Sequence, residues 1–175
     1  MQKLVALVQM TYPGAPMIYY GDECGMWGAN DPCNRKPMVW PDFEYEPETA
    51  HPHGKTRPAD DVAFDTGLRD YYRILIRARR ESPALSHGEF QTLLADDDRQ
   101  VVAFARAAGD DEVVVVINNG PVEVKIPWRS LRAKGEWKGL LTGQTPGTNA
   151  CVLPPVSGDI FFPSGVSGPS GAALN

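Results

Sequence analysis

From Phe90 onward the hydrophobic period is two, in short apolar stretches separated by turn residues, and this pattern restricts the fold more than any other feature. Side chains on a strand point alternately to the two faces of a sheet, so such stretches fit half-buried strands. The predicted strands are Phe90–Ala95, Gln100–Ala107, Glu112–Asn118, Val122–Ile126, Trp137–Leu141 and Val152–Phe162, the last broken by Pro154-Pro155. Strands this short and this closely spaced predict an antiparallel β-sandwich.

Turn residues punctuate this β region. Asn119-Gly120 lies between two predicted strands and predicts a hairpin, because a type I′ turn needs positive φ at both central residues. The tail from Pro163 to Asn175 is rich in Gly, Ser and Pro, and we expect it to be mobile.

Before residue 90 the patterns are helical or irregular. Thr66–Arg80 is the clearest helix, with Asp65 or Thr66 as its N-terminal cap and Pro83 just past its end. Its apolar face consists of Leu68, Tyr72, Leu75 and Ile76. A second face carries Arg69, Arg73, Arg77 and Arg80, which we expect to be solvated or salt-bridged.

The first 65 residues contain a short helix, a predicted strand and a long loop. Met1–Met10 is interpreted as part of a helix rather than a signal peptide, with an apolar side formed by Leu4, Val5, Leu7 and Val8. Pro13-Gly14 ends this helix. Pro16–Gly21 is predicted to be a buried strand of a parallel sheet, and Phe43–Asp65 a linker or long loop.

Composition excludes several classes of protein. The 175 residues are 42% hydrophobic but contain no apolar run that approaches the roughly 20 residues of a membrane span. A net charge of −5 argues against nucleic acid as the main partner. The three cysteines form no CxxC motif, and His51 and His53 have no third ligand nearby. We therefore predict no metal site and no cofactor.

Three motifs follow one another in the first half of the chain. They are PxIYYGDE at Pro16–Glu23, G-x-N-D-P-x-x-R-x-P-M at Gly28–Met38, and YYR-x-LI-x-x-R…PAL-x-x-G-x-F at Tyr71–Phe90. Their order and spacing resemble the eighth barrel strand, the loop after it and the last helix of the α-amylase family of glycoside hydrolases, in particular neopullulanase, cyclomaltodextrinase and maltogenic amylase. The segment VVAFARAAGDDEVVVVINNG resembles the family's C-terminal β domain.

This resemblance implies an α+β fragment, in which the last strand and helix of a (β/α)₈ barrel precede an antiparallel β-sandwich. The implied division is 1–88 for the end of the barrel, 89–163 for the sandwich and 164–175 for a flexible tail. A complete barrel needs roughly 200 residues or more, so this chain is too short to form one. The family's nucleophilic Asp, acid/base Glu and third Asp all precede the point where this sequence starts, and we expect no catalytic residue in it.

Other acidic residues offer no obvious replacement. Asp22 and Glu23 are adjacent at the end of the predicted strand, where they would point to opposite faces, so we expect them to bind loop amides. The acidic clusters at Asp96–Asp98 and Asp110–Glu112 are expected to be solvated hairpin turns rather than catalytic or calcium sites.

Asp31 and Arg35 are the candidate substrate-binding residues. The matching residues of the family lie over the active-site mouth and contact glucose units on the non-reducing side of the scissile bond. A carboxylate accepts hydrogen bonds from sugar hydroxyls and a guanidinium donates to sugar oxygens. The alternative is an ion pair that only braces the loop, and the two roles can coexist. Cys33-Asn34 departs from the family's usual Asp-Cys, which leaves the role of Cys33 undefined.

The tryptophans have two possible roles each. Trp27 and Trp40 flank the same loop and are either sugar platforms or, as we favour, packing residues. Trp128 and Trp137 could form a glycan-binding surface on the β domain, but we expect them to fill its interior.

The implied function is that of the C-terminal part of an α-glucan-active glycosidase. In the complete enzyme this activity would be retaining hydrolysis or transfer of α-1,4 or α-1,6 glucosidic bonds. The implied partners are an α-glucan or maltodextrin and a missing N-terminal part of the barrel, with no nucleic acid and no membrane. The alternatives are a stand-alone glycan-binding or scaffold β module, and a truncated or partner-completed half enzyme. The sequence indicates no particular cellular compartment.

Overall fold

The computed structural model describes residues 1–28, 31–32, 34–49, 54–56, 58–131, 135–146 and 149–165. The chain divides into two compact units. The first contains Lys3–Pro16 and the chain from Arg73 onward, and it includes the β domain; the second is Met17–Tyr72. The division at 1–88 and 89–163 implied by the resemblance remains a prediction. The predicted mobile tail lies, from residue 166 on, outside the described residues.

Three α-helices are present in the described part of the chain: α1 (Gln2–Thr11), α2 (Thr66–Glu81) and α3 (Pro83–His87). The predicted cap of α2 is confirmed, because Asp65 Oδ1 accepts a hydrogen bond of 2.8 Å from the Leu68 amide. Within the described residues, no helix is long and apolar enough to cross a membrane.

The buried side of α1 differs from the predicted one. Leu4 and Leu7 are buried as expected, but Val5 and Val8 are exposed, and Ala6 and Met10 take their place. Because an α-helix has 3.6 residues per turn, residues three and four positions apart lie on the same side of it. Leu4 and Met10, each three positions from Leu7, therefore share its buried side.

The seven strands of the described residues form two antiparallel sheets. They are β1 (Glu89–Asp96), β2 (Val101–Ala108), β3 (Asp111–Asn118), β4 (Val124–Pro127), β5 (Trp137–Gly139), β6 (Ala150–Leu153) and β7 (Ser157–Pro163). The larger sheet has the order β1-β2-β3-β7-β5, and the smaller one pairs β4 with β6. All the predicted strands are therefore confirmed, and Pro154-Pro155 separates β6 from β7.

The predicted hairpin at Asn119-Gly120 is wrong. β3 pairs with β2 and β7, whereas β4 pairs with β6 in the other sheet. Neither Asn119 nor Gly120 has the positive φ of a type I′ turn. The buried Asn118 explains the difference: its Oδ1 accepts from the Gly120 amide at 3.0 Å, and its Nδ2 donates to the Val122 and Pro154 carbonyls at 2.8 Å. The side chain of Asn118 thus directs the chain out of the first sheet.

The predicted buried strand at Pro16–Gly21 is also wrong. This segment has no regular secondary structure, and Met17, Tyr19 and Tyr20 are 75%, 44% and 43% exposed. A parallel strand is stable only when neighbouring strands pair with it, and no described strand pairs with this segment. In contrast, Phe43–Asp65 is irregular as predicted over its described residues, apart from one bridge between Glu48 and Asp60.

The inner faces of the two sheets form one core. Val114 and Val116 of β3 and Phe161 of β7 face Ile126 of β4 and Leu153 of β6, and all five are 4% exposed or less. Contact between these alternating apolar side chains holds the sandwich together.

Two buried arginines hold the end of α1. Arg79 of α2 donates to the carbonyl oxygens of Met10 at 2.8 Å and Tyr12 at 3.2 Å, and Arg106 of β2 donates to that of Thr11 at 2.7 Å. Burial lowers the pKa of both guanidinium groups, and for Arg106 the charge of Arg79 adds to this effect. Each charge is stabilised by carbonyl dipoles that the last turn of α1 leaves without helical partners.

Candidate functional site

Asp31 and Arg35 lie together on the surface of the second unit. Arg35 Nε is 2.9 Å from Asp31 Oδ1, and the two side chains are 67% and 62% exposed respectively. The Arg35 amide also donates to the Pro32 carbonyl at 2.9 Å, so the loop makes a tight turn between the paired residues. The ion pair is therefore present, and the carboxylate and guanidinium remain open to solvent.

Lys36 ties this loop to its surroundings in the second unit. Its Nζ lies 2.9 Å from Glu48 Oε2 and 3.6 Å from the centre of the Trp27 ring. Its carbonyl accepts a hydrogen bond of 2.9 Å from the Tyr20 hydroxyl. Trp27 therefore makes a cation–π contact with Lys36. The sequence pattern did not indicate a role for Lys36.

The acidic residues that were not expected to be catalytic form hydrogen bonds or ion pairs within the protein. Glu23 Oε2 accepts from the Gly21 amide at 2.9 Å, which confirms that it binds a loop amide, although it lies in a 3₁₀ turn (Asp22–Cys24) and not at a strand end. Asp96 pairs with Arg99 at 2.7 Å in the β1–β2 turn, and the bonds from Arg99 lower the pKa of that carboxyl.

Asp111 differs from the predicted solvated turn. Its Oδ2 accepts from the Ser82 hydroxyl and the Ala84 amide, each at 2.7 Å, and Ser82 in turn caps α3 by accepting from the Leu85 amide. The acidic cluster that contains Asp111 therefore fixes the start of a helix.

The described residues contain no group of three or more His, Cys, Asp or Glu side chains that could hold a metal ion. His51, His53 and Cys33 lie outside the described residues.

Trp128 and Trp137 fill the sandwich. They are 1% and 4% exposed, with ring centres 5.9 Å apart in an edge-on arrangement, and Trp128 lies 4.7 Å from Phe161. The interior role is confirmed, and a glycan-binding surface built on these two rings is wrong because ligand cannot reach them.

A cavity of about 470 Å³ in the second unit was not predicted from sequence. Its walls, which we call the aromatic cleft, include Trp40, Phe43, Glu44, Tyr45, Phe64 and Thr66. Trp40 and Phe43 are 53% and 62% exposed, far more than Trp128 and Trp137 of the β domain. The sequence indicated Trp40 as a possible sugar platform but favoured packing, and an exposed fraction of 53% contradicts a packing role for this ring.

Residues 93–154, most of the β domain, match the alpha amylase, C-terminal all-beta domain. The chain is 35% identical to neopullulanase 2 of Thermoactinomyces vulgaris over 81% of its own length and 21% of that protein. It is 34% identical to a cyclomaltodextrinase of Geobacillus thermopakistaniensis (strain MAS1) over 91% of its length and 24% of that protein. The chain thus spans about a fifth to a quarter of the length of these two relatives.

Solved structures give the same assignment. An alpha-amylase of Geobacillus thermoleovorans complexed with acarbose matches 91% of this chain and 32% of its own, with a TM-score of 0.69 and 25% identity. A cyclomaltodextrinase matches 91% of this chain and 25% of its own, with a TM-score of 0.64 and 28% identity. The β domain is therefore the C-terminal all-β domain of the α-amylase family. Over most of its length the chain is similar to neopullulanase and cyclomaltodextrinase, which confirms the resemblance and, for the β domain, the fold class.

Proposed function

We propose that this chain serves as the C-terminal part of an α-amylase-family glycosidase that acts on α-glucans. The observation that carries this proposal is the similarity of 91% of the chain to only 24% of a cyclomaltodextrinase, together with the domain match. In the complete enzyme the reaction is retaining hydrolysis or transfer of α-1,4 or α-1,6 glucosidic bonds. The chain's share is substrate contacts and a structural β domain, without catalytic acids.

Several carboxylates of this chain already make structural hydrogen bonds or ion pairs, which supports a non-catalytic role for the chain. A retaining glycosidase needs two carboxyl groups about 5–5.5 Å apart across one open sugar site. Glu23, Asp96 and Asp111 hold a loop, a turn and a helix start. Asp159, the most buried carboxyl described, accepts from the amides of Leu141 and Ile160 inside the β domain, and burial raises its pKa.

Asp31 and Arg35 are proposed as the substrate contacts. Their ion pair fixes the carboxylate and the guanidinium side by side before ligand arrives, which lowers the entropic cost of binding. Both side chains are more than 60% exposed, so sugar hydroxyls can reach them, and the two groups supply complementary acceptors and donors.

The experiment that tests this function replaces the matching segment of the Geobacillus thermopakistaniensis cyclomaltodextrinase with this chain. We expect the chimera to release reducing ends from cyclodextrin and the full 175-residue chain alone to release none. Asp31→Asn and Arg35→Lys in the chimera are expected to raise KM about tenfold, since each removes part of a charged sugar contact.

The matched control is the Asp96–Arg99 pair, another exposed ion pair placed in the β1–β2 turn. Asp96→Asn and Arg99→Lys are expected to leave KM unchanged. An inactive but folded chimera would contradict the glycosidase role, and equal effects of the two pairs would remove Asp31 and Arg35 from the substrate site.

The alternative is a stand-alone glycan-binding or scaffold β module. Its glycan-binding surface was expected to consist of Trp128 and Trp137, and both are buried. Sustained release of reducing ends by the chain alone would instead show that its own carboxylates are catalytic.

A further inference from the structure

The aromatic cleft contains the two most exposed of the described aromatic side chains in the second unit. Phe43 and Trp40 are 62% and 53% exposed, although aromatic side chains gain more than most from leaving water. Exposed aromatic groups gathered at one cavity mark a binding site more often than a defect of packing.

The backbone that carries Trp40 is held by hydrogen bonds within the loop. The Trp40 amide donates to the Tyr45 hydroxyl at 2.7 Å, and the Phe43 amide donates to the Trp40 carbonyl at 3.5 Å. These bonds close the turn that carries both exposed rings, so its backbone is fixed before a ligand binds. Phe64, another wall residue, has the Arg69 guanidinium 5.6 Å from its ring centre.

The chemistry of the walls is that of a sugar site. A hexose presents C–H groups on its faces and hydroxyl groups around its edge, so it pairs with aromatic faces and with polar groups beside them. Trp40, Phe43 and Phe64 supply the faces, and the Glu44 carboxylate and the Thr66 hydroxyl supply hydrogen-bonding groups. A volume of about 470 Å³ lies within the range of small-ligand cavities.

We propose that the aromatic cleft binds a segment of α-glucan, as a second sugar contact separate from Asp31 and Arg35. The identity of the glucan rests on the proposed function, whereas the capacity of the cleft to bind sugar rests on its own walls. Trp40 and Phe43 stack on successive glucose units, and Glu44 accepts hydrogen bonds from their hydroxyls.

The test titrates the full chain with maltohexaose and with cellohexaose, followed by calorimetry and by acrylamide quenching of tryptophan fluorescence. We expect maltohexaose to bind, cellohexaose to bind more weakly, and bound maltohexaose to shield Trp40 from acrylamide. Trp40→Ala and Phe43→Ala are expected to weaken binding about tenfold or more, as for aromatic residues at binding hot spots. Glu44→Gln, which preserves shape, is expected to weaken it severalfold.

Tyr19→Ala is the matched control, because Tyr19 is a 44% exposed ring of the same unit outside the cleft. Thermal melting verifies that each variant folds. The proposal is overturned if wild type does not bind maltohexaose, if Trp40→Ala and Phe43→Ala bind as wild type does, or if Tyr19→Ala weakens binding equally. Equal binding of cellohexaose overturns the α-glucan assignment.

The cyclodextrin assay separates this result from the proposed function. An active chimera together with a chain that does not bind maltohexaose would refute the cleft alone. An inactive chimera together with binding that depends on Trp40 would refute the proposed function alone.

Discussion

In the β domain Trp128 and Trp137 point inward, and in the loop of the second unit Trp40 and Phe43 point outward. Trp128 and Trp137 are 1% and 4% exposed, whereas Trp40 and Phe43 are 53% and 62% exposed. The alternation of a strand gives every second residue an inner face, but a Pro-rich loop has no such period and leaves its rings on the surface. The same residue types therefore stabilise one region and are available to bind ligand in the other.

Charged groups follow the same contrast. Buried Arg106 donates to three backbone carbonyls within the first unit, whereas Arg35 of the second unit pairs with Asp31 in the open. A buried charge needs fixed partners, whereas an exposed charge can exchange its partner for a ligand. The comparison assigns stability to the first unit and recognition to the second, and four predictions test it.

The largest effect is expected at Trp128. Trp128→Ala leaves a cavity between the sheets and is expected to lower the free energy of unfolding by about 3–5 kcal/mol. Trp40→Ala, the same substitution on a half-exposed ring, is expected to lower it by about 0.5 kcal/mol or less. Denaturant titration measures both values, and equal losses would contradict the contrast between the two regions.

The next effect is expected at Arg106. Arg106→Met leaves the carbonyls of Thr11 and Gly88 without their donors and is expected to lower the free energy of unfolding by about 2–3 kcal/mol. Arg35→Met breaks only an exposed pair and is expected to cost about 0–0.5 kcal/mol. Chemical denaturation of the two variants provides the comparison. A smaller loss for Arg106→Met than for Arg35→Met would reverse the assignment.

A pH effect is expected at Cys151 in β6. Burial raises the pKa of its thiol from 9.0 to about 12, so the unfolded thiol ionises at lower pH than the native one. The stabilisation is complete below pH 9 and is lost as pH rises toward 12, which predicts a loss of about 1 kcal/mol between pH 8 and 10. Unfolding measured against pH is expected to show this slope in wild type and not in Cys151→Ala. Parallel slopes would mean that the buried thiol does not resist ionisation.

The smallest effect is expected at the helix caps, of which each unit has one. Asp111→Ala removes the acceptor of the Ala84 amide at the start of α3, and Asp65→Ala removes that of the Leu68 amide in α2. Each is expected to lower the melting temperature by a few degrees, corresponding to about 1 kcal/mol. Asp110→Ala is the control with little expected change. A loss confined to Asp111→Ala would extend the contrast between the units to their caps.

The strands were predictable because their signal is local. Apolar period, proline breaks and turn residues near Val101, Asp111 and Ser157 set the strand ends within a few residues. The pairing of β4 with β6 was not predictable from Asn119-Gly120, because the deciding contacts come from the Asn118 side chain to carbonyls that include Pro154, 36 residues away. Sequence pattern records which residues form a strand and not which strand lies beside it.

The site was predictable only in part. Motif resemblance selected Asp31 and Arg35, and the structure brings them within 2.9 Å. Trp40 was named as a possible sugar platform, but the aromatic cleft as a whole was not predicted, because Trp40 and Phe64 are 24 positions apart in a segment without period. Pro16–Gly21 was assigned to a buried strand because its β-branched and aromatic composition is that of one, whereas formation of a strand also requires a partner.

The anchoring of α1 by Arg79 and Arg106 has a consequence for the order in which the chain folds. The two arginines follow their acceptors by 69 and 95 positions. At a synthesis rate of about 5–20 residues per second, Arg106 leaves the ribosome roughly 5–20 s after Thr11. During that interval the first helix is already made while the side chains that hold its end do not yet exist. Complete anchoring of α1 is therefore a late event that awaits the second strand of the β domain.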